Sequence, residues 1–486
     1  MNFLSYISRI LESNLSKNIP RVLGLGLFMQ QLDSMILNTA IPQMALSLHT
    51  PTLSLKLAIT SYLLTLAMFI PISGFVADRF GTQKTFSLAM LVFLFGSIIS
   101  GCAFNIDILI IGRLIQGAGA AMITPVGRLI LLKTFSKKES LVAYNSYTMI
   151  GQMGMVIGPT LGGVMTTFMN WRFIFFINIP VCLIALFLVY KIIPNYLEEK
   201  KSKFDWLGFF LFGGAAGAVS FGFSYLSEEG FSFFYPWLVL FIGLVLGFIY
   251  YFHAQNLNFK KRWPALDINV FKIRTFWLSM LGGSLFRLTA SGATFLLPLQ
   301  FQIALGYSAF ESGLLLIPQA ASFLISKQCF TWALREYGFR KILVCAPLFT
   351  AFALLGFSIL SDLSFIKNLN FIEDFVIFGF FMLILGFFSS IQYSCLNTLI
   401  FSDVPQEMSS RATSSSGVFQ QLGLSLAVCF CAGLLVGSSA LSQTHVLGLV
   451  SFHWTYLTLS FLTFLTPLIF LKLNKDDGMH LVHEKK

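Results

Sequence analysis

The chain is a succession of apolar runs, each close to the length a helix needs to cross a bilayer, separated by short charged or Pro/Gly-rich breaks. A hydrocarbon layer about 30 Å thick takes about 20 residues at 1.5 Å each. Runs of that kind lie near 20–45, 57–77, 85–104, 107–131, 142–167 and 172–193, and again near 206–226, 236–255, 275–301, 309–333, 340–360, 373–400, 412–437 and 450–472. Inside a bilayer each run must satisfy its own backbone hydrogen bonds, so the runs are expected to be helices. The fold class that follows is an all-α polytopic membrane protein with about fourteen spans. A soluble fold is excluded, because 56% of the 486 residues are hydrophobic and only 11% charged.

The net charge of +11 does not point to nucleic acid, because the basic residues fall between the apolar runs instead of clustering with aromatics on a polar face. An even number of spans puts both termini on one side, and the alternate loops say which. The loops on the side of the termini hold 25 of the 32 Lys and Arg residues, among them Lys200, Lys201, Lys203, Lys260, Lys261, Arg262, Lys272 and Arg274. The other loops hold Lys56, Arg172 and Lys367, so both termini are expected in the cytoplasm and the protein in the cytoplasmic (inner) membrane. The first 19 residues lack an apolar core and a cleavage site, while Phe3, Leu4, Ile7, Ile10 and Leu11 recur at helical spacing, which suggests a short interfacial helix. The seven cysteines lie in or beside apolar runs without a CxxC and read as small buried hydrophobes.

A weak internal repeat organises the chain. DRFGTQK at 78–84 follows the second run and REYGFRK at 335–341 follows the tenth, each with a turn Gly among charges. If the two loops are equivalent, residues 20–193 and 275–472 are two six-helix bundles, and 194–274 is a linker carrying two extra transmembrane helices. Residues 1–19 and 473–486 are then cytoplasmic ends.

Asp33 is the one acidic residue placed in the middle of a run. It lies about 13 residues into its helix, roughly 19 Å deep, where a carboxylate costs about 2.5–3.5 kcal/mol or more unless it finds a partner, water or a proton. Arg113 enters from the opposite side to a similar level, so an Asp33–Arg113 contact that a proton would weaken is geometrically open. Gln30, Gln31, Ser34 and Asn38 spread over half the helix beside Asp33, as a cavity wall would require. Gln116, one turn from Arg113, and Arg287, about 12 residues into the ninth run, join them as candidate cavity residues.

Six strings carry a resemblance. GFVADRFGTQK (74–84) resembles the loop signature G-x-x-x-D-R-x-G-R-K of the major facilitator superfamily through Gly74, Asp78, Arg79 and Gly81, and departs from it at Thr82 and Gln83. IIGRLIQGAGAA (110–121) resembles its R-x-x-Q-G-x-G-A signature, and GMVIGPTLGG (154–163) its antiporter signature through Gly154, Gly158, Pro159, Gly162 and Gly163. LDSMILNTAIP (32–42), WRFIFFINIP (171–180) and FLLPLQFQIALGYSAFESGLLLIP (295–318) are similar to the fourteen-span drug:proton antiporter branch that includes QacA and EmrB. The resemblance covers essentially the whole chain and implies the major facilitator fold and proton-coupled export of small molecules. Multidrug efflux by alternating access, with Asp33 protonation linked to substrate release, is the expected activity. Gly74 is expected to let helices approach, Gly81 to make a tight turn, and Asp78 with Arg79 to gate the cytoplasmic ends.

The charge of the site leaves a second reading open. Asp33, Arg113 and Arg287 together carry +1, which suits an anionic metabolite or a carboxylate-type metal chelator better than a lipophilic cation. A primary pump is set aside because no Gly-Lys dipeptide, and hence no P-loop, occurs. A membrane enzyme would need clustered His, Cys or carboxylates, yet the six histidines are scattered. A channel would need a continuous polar lining, and a receptor a sizeable soluble domain. No cofactor or metal is expected. The expected partners are the bilayer, protons and a small-molecule substrate; a periplasmic adaptor depends on a double-membraned host, and the protein is otherwise a monomer.

Overall fold

A computed structural model describes residues 15–197, 204–225, 234–260, 263–362, 370–405, 408–441, 448–474 and 476–479, so the expected interfacial helix before residue 15 lies outside the described residues. The described part is all-α, without a strand. α1 is Leu15–Ser47; the second run forms α2 (Lys56–Phe69) and α3 (Ile72–Phe80), broken at Pro71. Next come α4 (Thr82–Gly101), α5 (Ile106–Thr134), α6 (Lys137–Phe168), the single turn α7 (Phe173–Phe176) and α8 (Asn178–Ile192). They are followed by α9 (Trp206–Tyr225) and α10 (Phe234–Phe259). Beyond it lie α11 (Arg274–Leu299), which runs on into a π-turn over Gln300–Ala304, then α12 (Ala309–Leu315) and α13 (Ile317–Asp362). α14 (Phe371–Leu399), α15 (Ser409–Leu441) and α16 (Leu449–Phe470) complete the order.

Ten helical stretches among the described residues are long and apolar enough to cross a membrane, one of them running from Ala309 to Ser361 across a break at Gly338. α1, α6 and α11 are long enough but fall outside that set, α1 because Gln30, Gln31, Asp33 and Asn38 dilute its apolar character. Where helices enter low dielectric their first N–H groups need acceptors. Asn105 Oδ1 accepts from Ile108 N at 2.9 Å at the start of α5, and capping boxes Ser308/Glu311 and Asn370/Glu373 open α12 and α14. Phe210, Phe241, Phe248 and Phe464 stand on the outside, where lipid replaces water as the neighbour.

Helix approach is set by glycine. A Cβ on Gly154 would meet Phe28 O at 2.5 Å and Leu32 N at 2.8 Å, one on Gly158 Met35 Cβ at 2.8 Å, and one on Gly162 Ile36 O at 2.5 Å. The expected antiporter-signature glycines therefore seat α6 directly on α1, the helix of Asp33. Gly96, Gly112 and Gly119 do the same between α4 and α5.

Packing partners recur along the chain. α1 packs on α6 and α8, as α11 packs on α15 and α16; α4 packs on α5 and α8, as α13 packs on α14 and α16. The two loops of the sequence repeat also match in detail. Gly81 has φ +92° and Gly338 φ +70°, both in a region that favours glycine. After Gly81, Gln83 Nε2 donates to Val189 O and Tyr190 O, both at 3.2 Å, at the end of α8; after Gly338, Arg340 Nη2 donates to Leu471 O at 3.1 Å, just past α16. Of the departures from the family pattern, Gln83 thus closes the C-terminus of a neighbouring helix, and Thr82 Oγ1 accepts from Tyr196 N in the segment that follows it.

Helices from before residue 193 and from after residue 274 come together closely at the face away from the basic loops. A Cβ on Gly163 would meet Ala309 O at 2.4 Å, one on Gly313 would meet Pro159 O at 2.9 Å, and Thr160 Oγ1 donates to Gly313 O at 3.3 Å. Gln302 Nε2 reaches Thr39 O at 3.1 Å, and Phe310 N donates to Thr167 Oγ1 at 3.0 Å. At the basic face α2 packs along α15, but its continuation α3 packs chiefly on α4 and α5. Gly74 on α3 is exposed, with nothing within 4 Å of a Cβ. In this conformation nothing approaches Gly74 closely enough for the lack of a side chain to matter, while its neighbour Phe75 packs on Phe204 and Trp206.

Gly81→Ala is expected to lower the melting temperature in detergent, since a side chain at φ +92° costs of order 1–3 kcal/mol and would also strike Asn195. Gly74→Ala should leave it unchanged; equal shifts for the two variants would contradict the described turn.

Candidate functional site

Asp33 points away from the halves' interface, into the interior formed by α1, α2, α4, α5 and α8. It is 1% exposed, and Arg113 on α5 is equally buried. Arg113 Nη1 donates to Asp33 Oδ2 at 2.5 Å and to Gln116 Oε1 at 2.8 Å. Gln116 Nε2 donates to Asp33 Oδ1 at 2.7 Å, and Asn178 Nδ2 at the start of α8 approaches the same oxygen at 3.3 Å. Asn178 is held by Ser97 Oγ of α4 at 2.9 Å, which in turn donates to Phe175 O. Arg113 Nε donates to Ala58 O of α2 at 3.1 Å, and its Cζ lies 4.2 Å from the Tyr62 ring centroid.

Three donors on one carboxylate are what an ionised group needs once water is gone, and they make the Asp33 charge sustainable at this depth. Proton uptake would remove the charge that holds Arg113. The guanidinium would keep only Gln116, the Ala58 carbonyl and the Tyr62 face, so the tie between α1 and α5 would loosen.

The sequence-selected residues divide around this centre. Asp33, Arg113 and Gln116 come together. Gln116 is a correction: chosen for a cavity wall, it is 0% exposed, with its amide used on Asp33 and Arg113. Gln31 also departs from a cavity wall, because its Cβ lies against Gly154 on the α6 side of α1. Gln30 Oε1 accepts from Thr124 Oγ1 at 2.9 Å, Ser34 Oγ donates back to Gln30 O at 2.9 Å, and Asn38 is buried. Gly154, Gly158 and Gly162 seat α6 on α1, while Pro159 and Gly163 face α12. Asp78 and Arg79 sit at the end of α3, half-buried and exposed. Arg287 lies elsewhere, 2% exposed on α11, with Cζ 5.3 Å from the Tyr393 ring centroid.

Sequence reading missed Asn178, Ser97 and Tyr62. Asn178 had a signal, an amide opening the apolar run NIPVCLIALFLV. Ser97 and Tyr62 had none, because one hydroxyl in an apolar helix is ordinary.

A helical membrane bundle with an ion pair buried among its helices is a build that suits a transporter. The chain belongs to the Major Facilitator Superfamily, whose profile matches residues 23–428. It is 32% identical over 472 residues, 96% of each chain, to MdtD of Klebsiella pneumoniae, which is named for multidrug resistance. It is 32% identical over 477 residues to HsrA of Haemophilus influenzae, named as a transport protein, covering 97% of this chain and 98% of that one. Among solved structures a D-xylose-proton symporter shares the fold, with TM-score 0.67 at 14% identity over 95% of this chain and 98% of the other.

Removing one partner of a buried ion pair leaves an uncompensated charge. Asp33→Ala is expected to destabilise the protein by about 3–5 kcal/mol, and adding Arg113→Met to recover much of it. Additive losses on detergent melting curves would show that the pair is not coupled.

Proposed function

We propose that this protein is a proton-coupled antiporter that exports small molecules across the cytoplasmic membrane, working as a monomer of fourteen spans with both termini in the cytoplasm. Two six-helix halves, 20–193 and 275–472, rock about their common interface, and α9 with α10 forms an insertion between them. The recurring helix partners and the matched turns at Gly81 and Gly338 support that division.

The observation that carries the reading is the buried Asp33–Arg113–Gln116–Asn178 network. Its members come from α1, α5 and α8, so gain or loss of one proton changes how three helices are tied together. α1 in turn bears on the seal between the halves through the α6 glycines and through Thr39, whose carbonyl Gln302 reaches. Protonation at Asp33 thereby favours one facing of the cavity, and deprotonation the other. Asp78 and Arg79 belong to a gate at the basic face, where Gly74 becomes a contact as the gate moves. Multidrug efflux is the activity supported by the name of the K. pneumoniae relative. Gln30, Ser34 and Asn38 are then available to line the route beside α1.

In inside-out membrane vesicles energised to an acidic lumen, wild-type protein should release protons when a transported dye such as ethidium is added. Asp33→Asn should lower that response at least tenfold while the protein remains in the membrane. Full pH-driven transport by Asp33→Asn would sink the proton-coupling role.

A further inference from the structure

The molecule contains two arginines buried against a tyrosine face, and only one is neutralised. Arg113 spends Nε on Ala58 O and Nη1 on Asp33 and Gln116. Arg287, 2% exposed, meets the Tyr393 side chain but has no hydrogen-bond partner for Nε or Nη1 among the described residues, and no Asp or Glu there forms an ion pair with it. A buried guanidinium with open donors is costly, and a chain keeps one where an anion arrives to use it.

The surroundings fit that use. Gly283 leaves the room the guanidinium occupies, since a Cβ there would stand 2.7 Å from Arg287 Nη1. Tyr393 on α14, whose ring faces Arg287, lies next to Ser394, and Ser394 Oγ accepts from Lys327 Nζ at 2.7 Å. Two cations from α11 and α13 thus lean on consecutive residues of α14. Gln392, also buried, has both amide atoms without a partner, and Gln420 reaches Tyr393 and Asn397 only through long contacts of 3.5 and 3.4 Å. Tyr393, Ser394 and Asn397 lie within about 9 Å of the basic-face end of α14 and are half-buried, unlike Arg287 and Gln392.

We propose that Arg287 and Lys327, with Gln392, Tyr393 and Gln420, form a binding subsite in the C-terminal half for amphipathic organic carboxylates taken up from the basic face. This rests on the transport reading for its purpose, though the binding itself does not depend on proton coupling. The guanidinium fork takes the carboxylate with two parallel N–H donors, Lys327 adds a second positive charge, and the tyrosine ring packs on the organic body. The subsite is separate from the Asp33 network, which lies on helices of the other half.

The test uses two dyes built on the same ring system, fluorescein as the carboxylate and rhodamine 6G as the cation. Binding to purified full-length protein is followed by fluorescence anisotropy in a nonionic detergent with zwitterionic lipid only. Fluorescein should bind, and rhodamine 6G should not displace it. Arg287→Gln should weaken fluorescein binding roughly ten- to a hundredfold, the loss of a charge-assisted pair, and Arg287→Lys should recover only part. Arg287→Gln should weaken fluorescein binding by a similar factor in an Asp33→Asn background, so failure of the coupling role and failure of the subsite are read separately. If Arg287→Gln does not fold, Lys327→Gln at the half-buried position serves instead and should weaken binding severalfold. Displacement of fluorescein by an anionic lipid at stoichiometric amounts would overturn the solute assignment in favour of a headgroup, and unchanged affinity in a folded Arg287→Gln or Lys327→Gln protein would overturn the subsite.

Discussion

A carboxylate in the middle of a hydrocarbon-embedded helix is the constraint around which the N-terminal helices are arranged. Asp33 holds its charge only because Arg113, Gln116 and Asn178 bring donors to it from two other helices. Those donors need support of their own. Asn178 is aimed by Ser97, and Arg113 is fixed by the Ala58 carbonyl and the Tyr62 ring. Five helices therefore contribute to keeping one negative charge, and each would gain freedom if that charge were lost.

Close packing makes such a charge mechanically effective. α6 lies on α1 without intervening side chains at Gly154, Gly158 and Gly162, so a shift of α1 is not absorbed by flexible groups. The same helix presents Pro159 and Gly163 to α12 at the face where the halves meet. One helix thus touches both the element that carries the ionisable group and the seal between the halves, which is the physical meaning of the glycine pattern in its sequence.

Much of this was legible in the residues. The apolar runs located the helices, and the matching depths of Asp33 and Arg113 anticipated their contact. The repeat of DRFGTQK and REYGFRK anticipated two glycines with positive φ. What was not legible depends on rotation about a helix axis and on long-range approach. Gln116 and Gln31 were read as cavity residues because a sequence gives spacing but not which neighbour a face meets. Gln116 faces Asp33, and Gln31 faces α6. Ser97 and Tyr62 were invisible, since a hydroxyl in an apolar run becomes informative only when its partner is known.

If residues 20–193 and 275–472 are equivalent halves, α1 and α11 correspond, and Asp33 and Arg287 occupy comparable mid-helix places with opposite charge. The pairing partners then differ in kind. Asp33 is satisfied within its own half, whereas the open donors of Arg287 look for an acceptor that the described residues do not supply. Such a division assigns the proton to one half and an anionic solute to the other. Direct competition for one group is then unavailable as a coupling mechanism, because the two sites share no side chain. Coupling must pass through the packed path from α1 to α6 to α12, so that each ligand acts on the other by favouring one arrangement of the halves.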